Sequence, residues 1–451
     1  MPVDLKIING KLFTAEGFKE GGLAIEGNRI IKIGKEPSLP DASETIKAKG
    51  AMILPGLIDI HVHTRDFNQK YKETLETGTK SAVTGGITTI LDMPNNKPPT
   101  DSMARVKAKK EIINEKAAAN IGFYSLIPKE SSEILKLIKE GIFGFKIYPA
   151  SEIYPLKNNA VLQQKMKEIA EFNIPLVIHP DIGIASEIEK EQFKRGGDLI
   201  DVFIKAHNQS YEAKALQQFL DLNEGIDCPL HCAHVTSEET VEILKKNLKN
   251  SLLSSEVCPH HLHLDIKDLQ KFKSEAKCLP PIRNKSDQEA LWKALQDNYI
   301  NVIATDHAPH SYNEKHCNFE EAASGIHGLE TLVPIMFTSA LKGKISLESL
   351  IEKLTINPAK LMKIRKRGQL EEGNFADITI IAKEKSKIDQ ENFESKAKWT
   401  PFNGFNSLVT IKYVYVNGQL TKEDDYLISK SNNGQILERS IKIPEKYIEE
   451  E

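Results

Sequence analysis

Between Asp59 and Arg65 the chain sets a carboxylate, two imidazoles and a guanidinium in one short run, LIDIHVHTRD (57–66). Read as a strand, its two-residue period puts Asp59, His61 and His63 on one face and Ile58, Ile60 and Val62 on the other. A buried strand gains nothing from three polar groups on one face unless they act on something held there. Two imidazoles at that spacing suit a borderline metal such as zinc. Four more residues of this chemistry belong to later apolar runs: Lys146 in FGFKIY, His179 closing PLVIH, His234 closing PLHCAH and Asp306 closing NVIATD. A single strand histidine is more often a satisfied core or rim residue than a ligand, so only the convergence of several points to a metal. Lys146 is the odd member, because an ammonium is repelled by divalent cations; a lysine that snorkels to solvent or pairs with an acid is the plain alternative. Carboxylation of its amine by carbon dioxide would turn that cation into a carbamate whose two oxygens bridge two metals.

Convergence needs a scaffold, and one is legible. Eight short apolar runs alternate with stretches of helical period: LIDIHVH (57–63), ITTILDM (87–93), IGFYSLI (121–127), FGFKIY (143–148), PLVIH (175–179), PLHCAH (229–234), LLSSEVC (252–258) and NVIATD (301–306). Repeated βα units in that number predict a (β/α)8 TIM-type barrel, whose active site lies at the C-terminal ends of the strands, where the six candidate ligands fall. Between the runs, TSEETVEILKKNL opens with Thr236 and Glu239 at capping-box spacing, and SDQEALWKALQDN has helical period. An open doubly wound sheet is the competing fold, but no Gly-rich phosphate loop follows the first run. The two chain ends share a different idiom, short β-rich runs broken by Asn-Gly and Gly-Gly turns. They predict a small composite β-sandwich from residues 1–54 and 370–425, with the barrel at 55–369 and a charged, peripheral extension at 426–451.

Composition excludes other classes. A 451-residue chain with 40% hydrophobic and 27% charged residues can bury a large core, and a net charge of -3 offers no basic stripe for nucleic acid. No run approaches the roughly 18 apolar residues of a membrane span. The opening MPVDLKIING lacks a signal-peptide layout, and five scattered cysteines make no disulfide framework, so a cytoplasmic protein is expected. CPLHCAH imitates a zinc knuckle, yet His231 and Cys232 of a strand face opposite ways and no second pair follows at finger spacing. PHHLHLD (259–265) reads as rim filler, with His260 or His261 near the mouth.

With these residues in place, the chain resembles the amidohydrolase superfamily and, within it, the dihydroorotase family, over roughly residues 3–420. HVHTR (61–65) looks like the family's His-x-His-x-Arg, DMPNNKPPT (92–100) like its Asp-Met-Pro-Asn segment, and ATDHAPH (304–310) like its Asp-His-Ala-Pro-His signature; NPAK (357–360) and GNFADI (373–378) match late landmarks. The resemblance implies two zinc ions, one held by His61, His63 and Asp306 and the other by His179 and His234, bridged by carboxylated Lys146. It also implies that Arg65, Asn95 and His310 grip the substrate. The implied reaction is the reversible cyclisation of N-carbamoyl-L-aspartate to L-dihydroorotate with loss of water, a step of pyrimidine biosynthesis, with a zinc-bound hydroxide as nucleophile and Asp306 as proton shuttle. Implied too are a homo-oligomer and an association with aspartate transcarbamoylase.

Asp59, below the ligands, is expected to orient them and not to coordinate. Three departures bear on substrate contacts: Asp66-Phe67 replaces Glu-Pro, Leu279 replaces an Asn, and GIHGLE (325–330) puts His327 where Pro is usual. The segment 311–323 is the expected mobile contributor to the site. An allantoinase or hydantoinase is the nearest alternative, and Arg65, Asn95 and the Ala-Pro-His run favour a substrate that carries a carboxylate. A non-catalytic subunit that only scaffolds a partner is the other, and it has no physical reason to keep six convergent metal-binding groups.

Overall fold

The computed structural model describes residues 2–149, 159–183, 198–428, 432–439 and 441–447, with positions 185, 188 and 191 between them. The N-terminal runs form strands β1 (Val3–Thr14), β2 (Gly17–Glu26), β3 (Arg29–Gly34), β4 (Ala42–Lys47) and β5 (Met52–Pro55). Alternation does the work in β1, where Val3, Leu5 and Ile7 are buried and Asp4 is exposed.

The middle of the chain closes on itself. Strands β6 (Leu57–Val62), β7 (Ile87–Asp92) and β8 (Asn120–Phe123) pair in parallel, and β8 continues past Tyr124 as β9 (Ser125–Leu126). Parallel pairing then runs from β9 through β10 (Phe145–Ile147), β11 (Leu176–Ile178), β12 (Leu230–Cys232), β13 (Leu253–Val257) and β14 (Val302–Ile303). The ring shuts where Val62 bridges His307 and the His63 amide donates to the His307 carbonyl at 2.9 Å. With β8 and β9 counted as one interrupted strand, every one of the eight apolar runs is a strand of this barrel.

Helices cover the strands by burying one stripe each. In Lys285–Gln296, Asn284 caps the first turn by accepting from the Asp287 amide, and Leu291, Trp292 and Leu295 face inward; each such side chain contributes about 1.5–3 kcal/mol of burial. Glu238–Lys246 begins one residue later than its sequence suggests. Ser237, not Thr236, accepts from the Thr240 amide, because buried Glu212 takes both the Thr236 amide, at 2.9 Å, and its hydroxyl. Among the described residues no helix is long and apolar enough to cross a membrane.

After the barrel come β15 (Ile378–Ala382), a small hairpin of β16 (Ser386–Lys387) and β17 (Asn406–Ser407), then β18 (Thr410–Val416), β19 (Gln419–Glu423) and β20 (Tyr426–Leu427). β15 pairs antiparallel with β5, so the two ends of the chain share one sheet, ordered β20-β19-β18-β15-β5-β1-β2-β3 with β4 on β1. Ile7, Leu23, Ile53, Ile378 and Ile380 are buried together in it.

Part of the segment expected to be peripheral is built onto the barrel. Residues 434–439 lie along β8: the Ile121 amide donates to Gln435 O, Leu437 N to Ile121 O, and Arg439 N to Gly141 O. Gly434 is required there, since a Cβ would stand 2.1 Å from the Ala119 carbonyl oxygen. Arg439 is buried and reaches the carbonyls of Phe143, Leu361 and Asn173 at 3.3–3.4 Å, sharing the last with Lys363.

Candidate active site

The strand ends open into a cavity of about 300 Å³ whose walls include His61, His63, Arg65, Asn95, His179, His234, Asp306 and His310. His61 Nε2 and His63 Nε2 lie 3.3 and 3.0 Å from the same Asp306 oxygen. His179 Nδ1 and His234 Nε2 face each other at 2.8 Å. His61, His234 and Asp306 present ligand atoms within 4.8 Å of one another. Three of the site residues hold positive φ, Arg65 at 62°, His234 at 36° and Asp306 at 46°, a backbone region that side chains ordinarily avoid and that surrounding structure must enforce.

Part of that enforcement is visible. Asp92, on β7, accepts from the Thr64 amide at 2.9 Å and hydroxyl at 2.7 Å and pairs with buried Lys109. Asn96 donates to the Arg65 carbonyl. Asp59 accepts from the His61 amide at 3.1 Å and from the Thr305 hydroxyl at 2.5 Å, tying the first strand to the last behind the candidate ligands. Burial pushes its carboxyl up to about 7.

One residue of the arrangement has no counterpart in the sequence reading. Glu256 on β13 accepts from His61 Nδ1, and its other oxygen is 3.1 Å from His231 Nε2. Burial opposes its charge, but His61 and His231 hold it ionised well below the usual carboxylate range. A carboxylate can only accept, so the His61 Nδ1 proton is held on Glu256 and Nε2 is the nitrogen turned toward Asp306. Asn95 does the same for His63, its Oδ1 lying 2.6 Å from Nδ1. Asn95, expected on the substrate, thus lines the cavity and also orients His63, a candidate ligand. The signal for Glu256 was an acid inside the apolar run LLSSEVC, two residues past Ser254, which meets the other nitrogen of His231 at 2.9 Å.

Electrostatics suit a metal. Burial drives His63 down to about 4 and His179 to about 3, the latter helped by Lys146, and holds His234 well below its ordinary value. These rings are neutral, the form a ligand must have. Burial also opposes the charge of Asp306, but His61 and His63 keep its carboxyl well below the usual range. Lys146, 1% exposed, is pushed down to about 8 by burial, and its Nζ has no hydrogen-bond partner; neither has His234 Nδ1. Buried polar atoms of that kind are costly unless something fills the space between them.

At the rim, Arg65 Nε donates to the Pro309 carbonyl at 3.1 Å and Nη2 lies 3.2 Å from His310 Nε2. Burial, with Arg65 and Lys72 beside it, takes His310 down to about 2. Its Nδ1 accepts from Lys72 at 3.1 Å and its Nε2 meets the Ser324 carbonyl at 3.1 Å. Gly325 completes the wall; a Cβ there would stand 2.4 Å from the Ala308 carbonyl oxygen. Leu279 lines the cavity, whereas His327 is behind it, stacked on Phe393 at 4.3 Å. The segment 311–323 is anchored by Lys315, which donates to the carbonyls of Lys277, Ala323 and Gly325 at 2.6–3.1 Å.

Residues 52–421 match the model of the amidohydrolase family. The chain is 34% identical to a dihydroorotase of Pyrococcus horikoshii over 450 residues, covering 96% of each protein. It is 34% identical to a dihydroorotase of Acetivibrio thermocellus, covering 90% of this chain and 95% of that one. Among solved structures it superposes on an L-hydantoinase (dihydropyrimidinase) of Arthrobacter aurescens with a TM-score of 0.92 at 28% identity, covering 97% and 100% of the two chains.

Proposed function

Because the chain belongs to the amidohydrolase family, we propose that it is a dihydroorotase, closing N-carbamoyl-L-aspartate into L-dihydroorotate with loss of water and reopening that ring. The observation that carries this reading is the company Arg65 keeps: a buried guanidinium on the wall of a cavity also lined by imidazoles and Asp306. A substrate with a carboxylate and an amide nearby would meet both at once.

The donor set fits two zinc ions, with His61, His63 and Asp306 around one and His179 and His234 around the other. When bound they would polarise the amide carbonyl and supply a nucleophile near neutral pH. Lys146 would bridge them as a carbamate. Burial favours its neutral amine, the form that attacks carbon dioxide; the new N–C bond leaves a carbamate and releases one proton. Asp306, held ionised by His61 and His63, accepts the proton of the attacking water and delivers it to the leaving ring nitrogen. In the cyclising direction the same proton moves the other way. Arg65 takes the substrate carboxylate through two parallel N–H donors, and His310 borders the same space.

The fold similarity to an L-hydantoinase makes a hydantoin-opening enzyme the second reading, and a substrate panel separates the two. Purified protein should turn over dihydroorotate with kcat/KM far above that for hydantoin or allantoin; preference for hydantoin would overturn the assignment. Lys146→Ala should lose the metal of this cavity together with activity, and added bicarbonate should not restore either.

A further inference from the structure

β13 runs on into Cys258, which stands at the N-terminus of the short helix Pro259–His263. Cys258 Sγ and one ring nitrogen each of His260 and His261 lie within 4.8 Å of one another, and all three side chains are buried. None of them lines the cavity described above. The two rings pack with centroids 4.3 Å apart.

Hydrogen bonding decides which nitrogen of His261 is free. Its Nε2 lies 3.0 Å from the Pro280 carbonyl, which can only accept, so Nε2 carries the proton and Nδ1 the lone pair. That Nδ1 is buried and has no partner, and the same is true of His260 Nε2. Burial keeps both rings neutral. An imidazole with one N–H fixed by a backbone carbonyl and its other nitrogen unpaired is the arrangement that metal-binding histidines use. Two unpaired nitrogens beside a thiol, all buried, stand where unsatisfied polar groups are expensive.

We propose that Cys258, His260 and His261 form a metal site separate from the catalytic cavity, with a sulfur and two nitrogens that select a borderline ion such as zinc. Binding breaks the Cys258 S–H bond: the proton leaves to solvent and the thiolate takes the ion, so affinity rises with pH. Three protein ligands leave a fourth position for water or a small anion. The site would lock the turn after β13 to the Pro280 segment through His261. It does not depend on the substrate assigned above.

Cobalt is the probe. The cavity offers only nitrogen and oxygen donors, so a near-ultraviolet thiolate-to-cobalt charge-transfer band in protein produced with cobalt comes from a cysteine outside it, and its loss in Cys258→Ser assigns it to this site. The band is expected in the unmodified protein. Cys258→Ser should remove it and lower bound metal by one ion per chain, His260→Gln should weaken it, and Lys146→Ala should leave it in place. Cobalt-loaded unmodified protein without the band would overturn the site, as would a band that survives Cys258→Ser. The first of these measurements needs no variant, so a substitution that prevents folding does not shield the idea.

Discussion

Glu256 gives the sharpest test of how this barrel sets its ligands. Its two oxygens serve two rings, His61 Nδ1 and His231 Nε2. In Glu256→Gln the amide oxygen can stay on His61. The new NH2 then faces His231, whose proton can move to Nδ1 because the Ser254 hydroxyl, 2.9 Å away, is able to accept it. Every group remains paired and only the charge is lost, which should weaken metal binding about tenfold, at the mild end for removal of such an outer partner. Glu256→Ala leaves His61 Nδ1 without its acceptor, whereas His231 keeps the Ser254 hydroxyl. At about 1–3 kcal/mol for an unsatisfied buried group, this costs about 1–3 kcal/mol of stability. His61 is then free to place its proton on Nε2, and metal affinity should fall about a hundredfold. Competition with a calibrated chelator measures affinity, and denaturant unfolding measures stability. The reasoning is refuted if the alanine variant binds metal as tightly as the unmodified protein, or if glutamine is as damaging as alanine.

Arg65→Met should raise KM for dihydroorotate by tens to hundreds of fold, the loss of about 2–3 kcal/mol of charge-assisted pairing; a steady-state KM within threefold of normal would remove Arg65 from substrate binding. Glu314 is held down to about 2 against partial burial by Lys72, Ser311 and Tyr71. Its carboxylate therefore adds stability that is complete above its ordinary value near 4.5 and is lost as pH falls toward 2. Trp399, which donates to the His310 carbonyl at 3.0 Å, should report this as an acid-side fluorescence change that Glu314→Gln abolishes. Arg439→Ala should cost about 1–3 kcal/mol in denaturant unfolding by taking a donor from the Phe143 and Leu361 carbonyls, while activity per folded molecule stays unchanged.

Much of this was legible in the residues. Apolar runs of strand length, separated by helical period, announced eight parallel strands, because a strand buried on both faces must be apolar along its length. The polar residues that end those runs stood out against that background, and so His61, His63, Lys146, His179, His234 and Asp306 could be named before any coordinates. The extension was misjudged for the opposite reason: its value lies in backbone hydrogen bonds to β8 and in one arginine, and neither leaves an apolar pattern. Glu256 was passed over because an acid in a strand carries no periodic signature and acquires its meaning from His61, nearly two hundred residues away.

The sequence by itself determined which side chains could bind a metal and which strand each would end, since both follow from residue type and local period. Only the tertiary structure decided which nitrogen of each imidazole faces Asp306, because that depends on an acceptor brought from another strand: Glu256 for His61 and Asn95 for His63. It alone forced Arg65, His234 and Asp306 into positive φ, a conformation that no local preference of those residues supplies and that the packed barrel rim imposes.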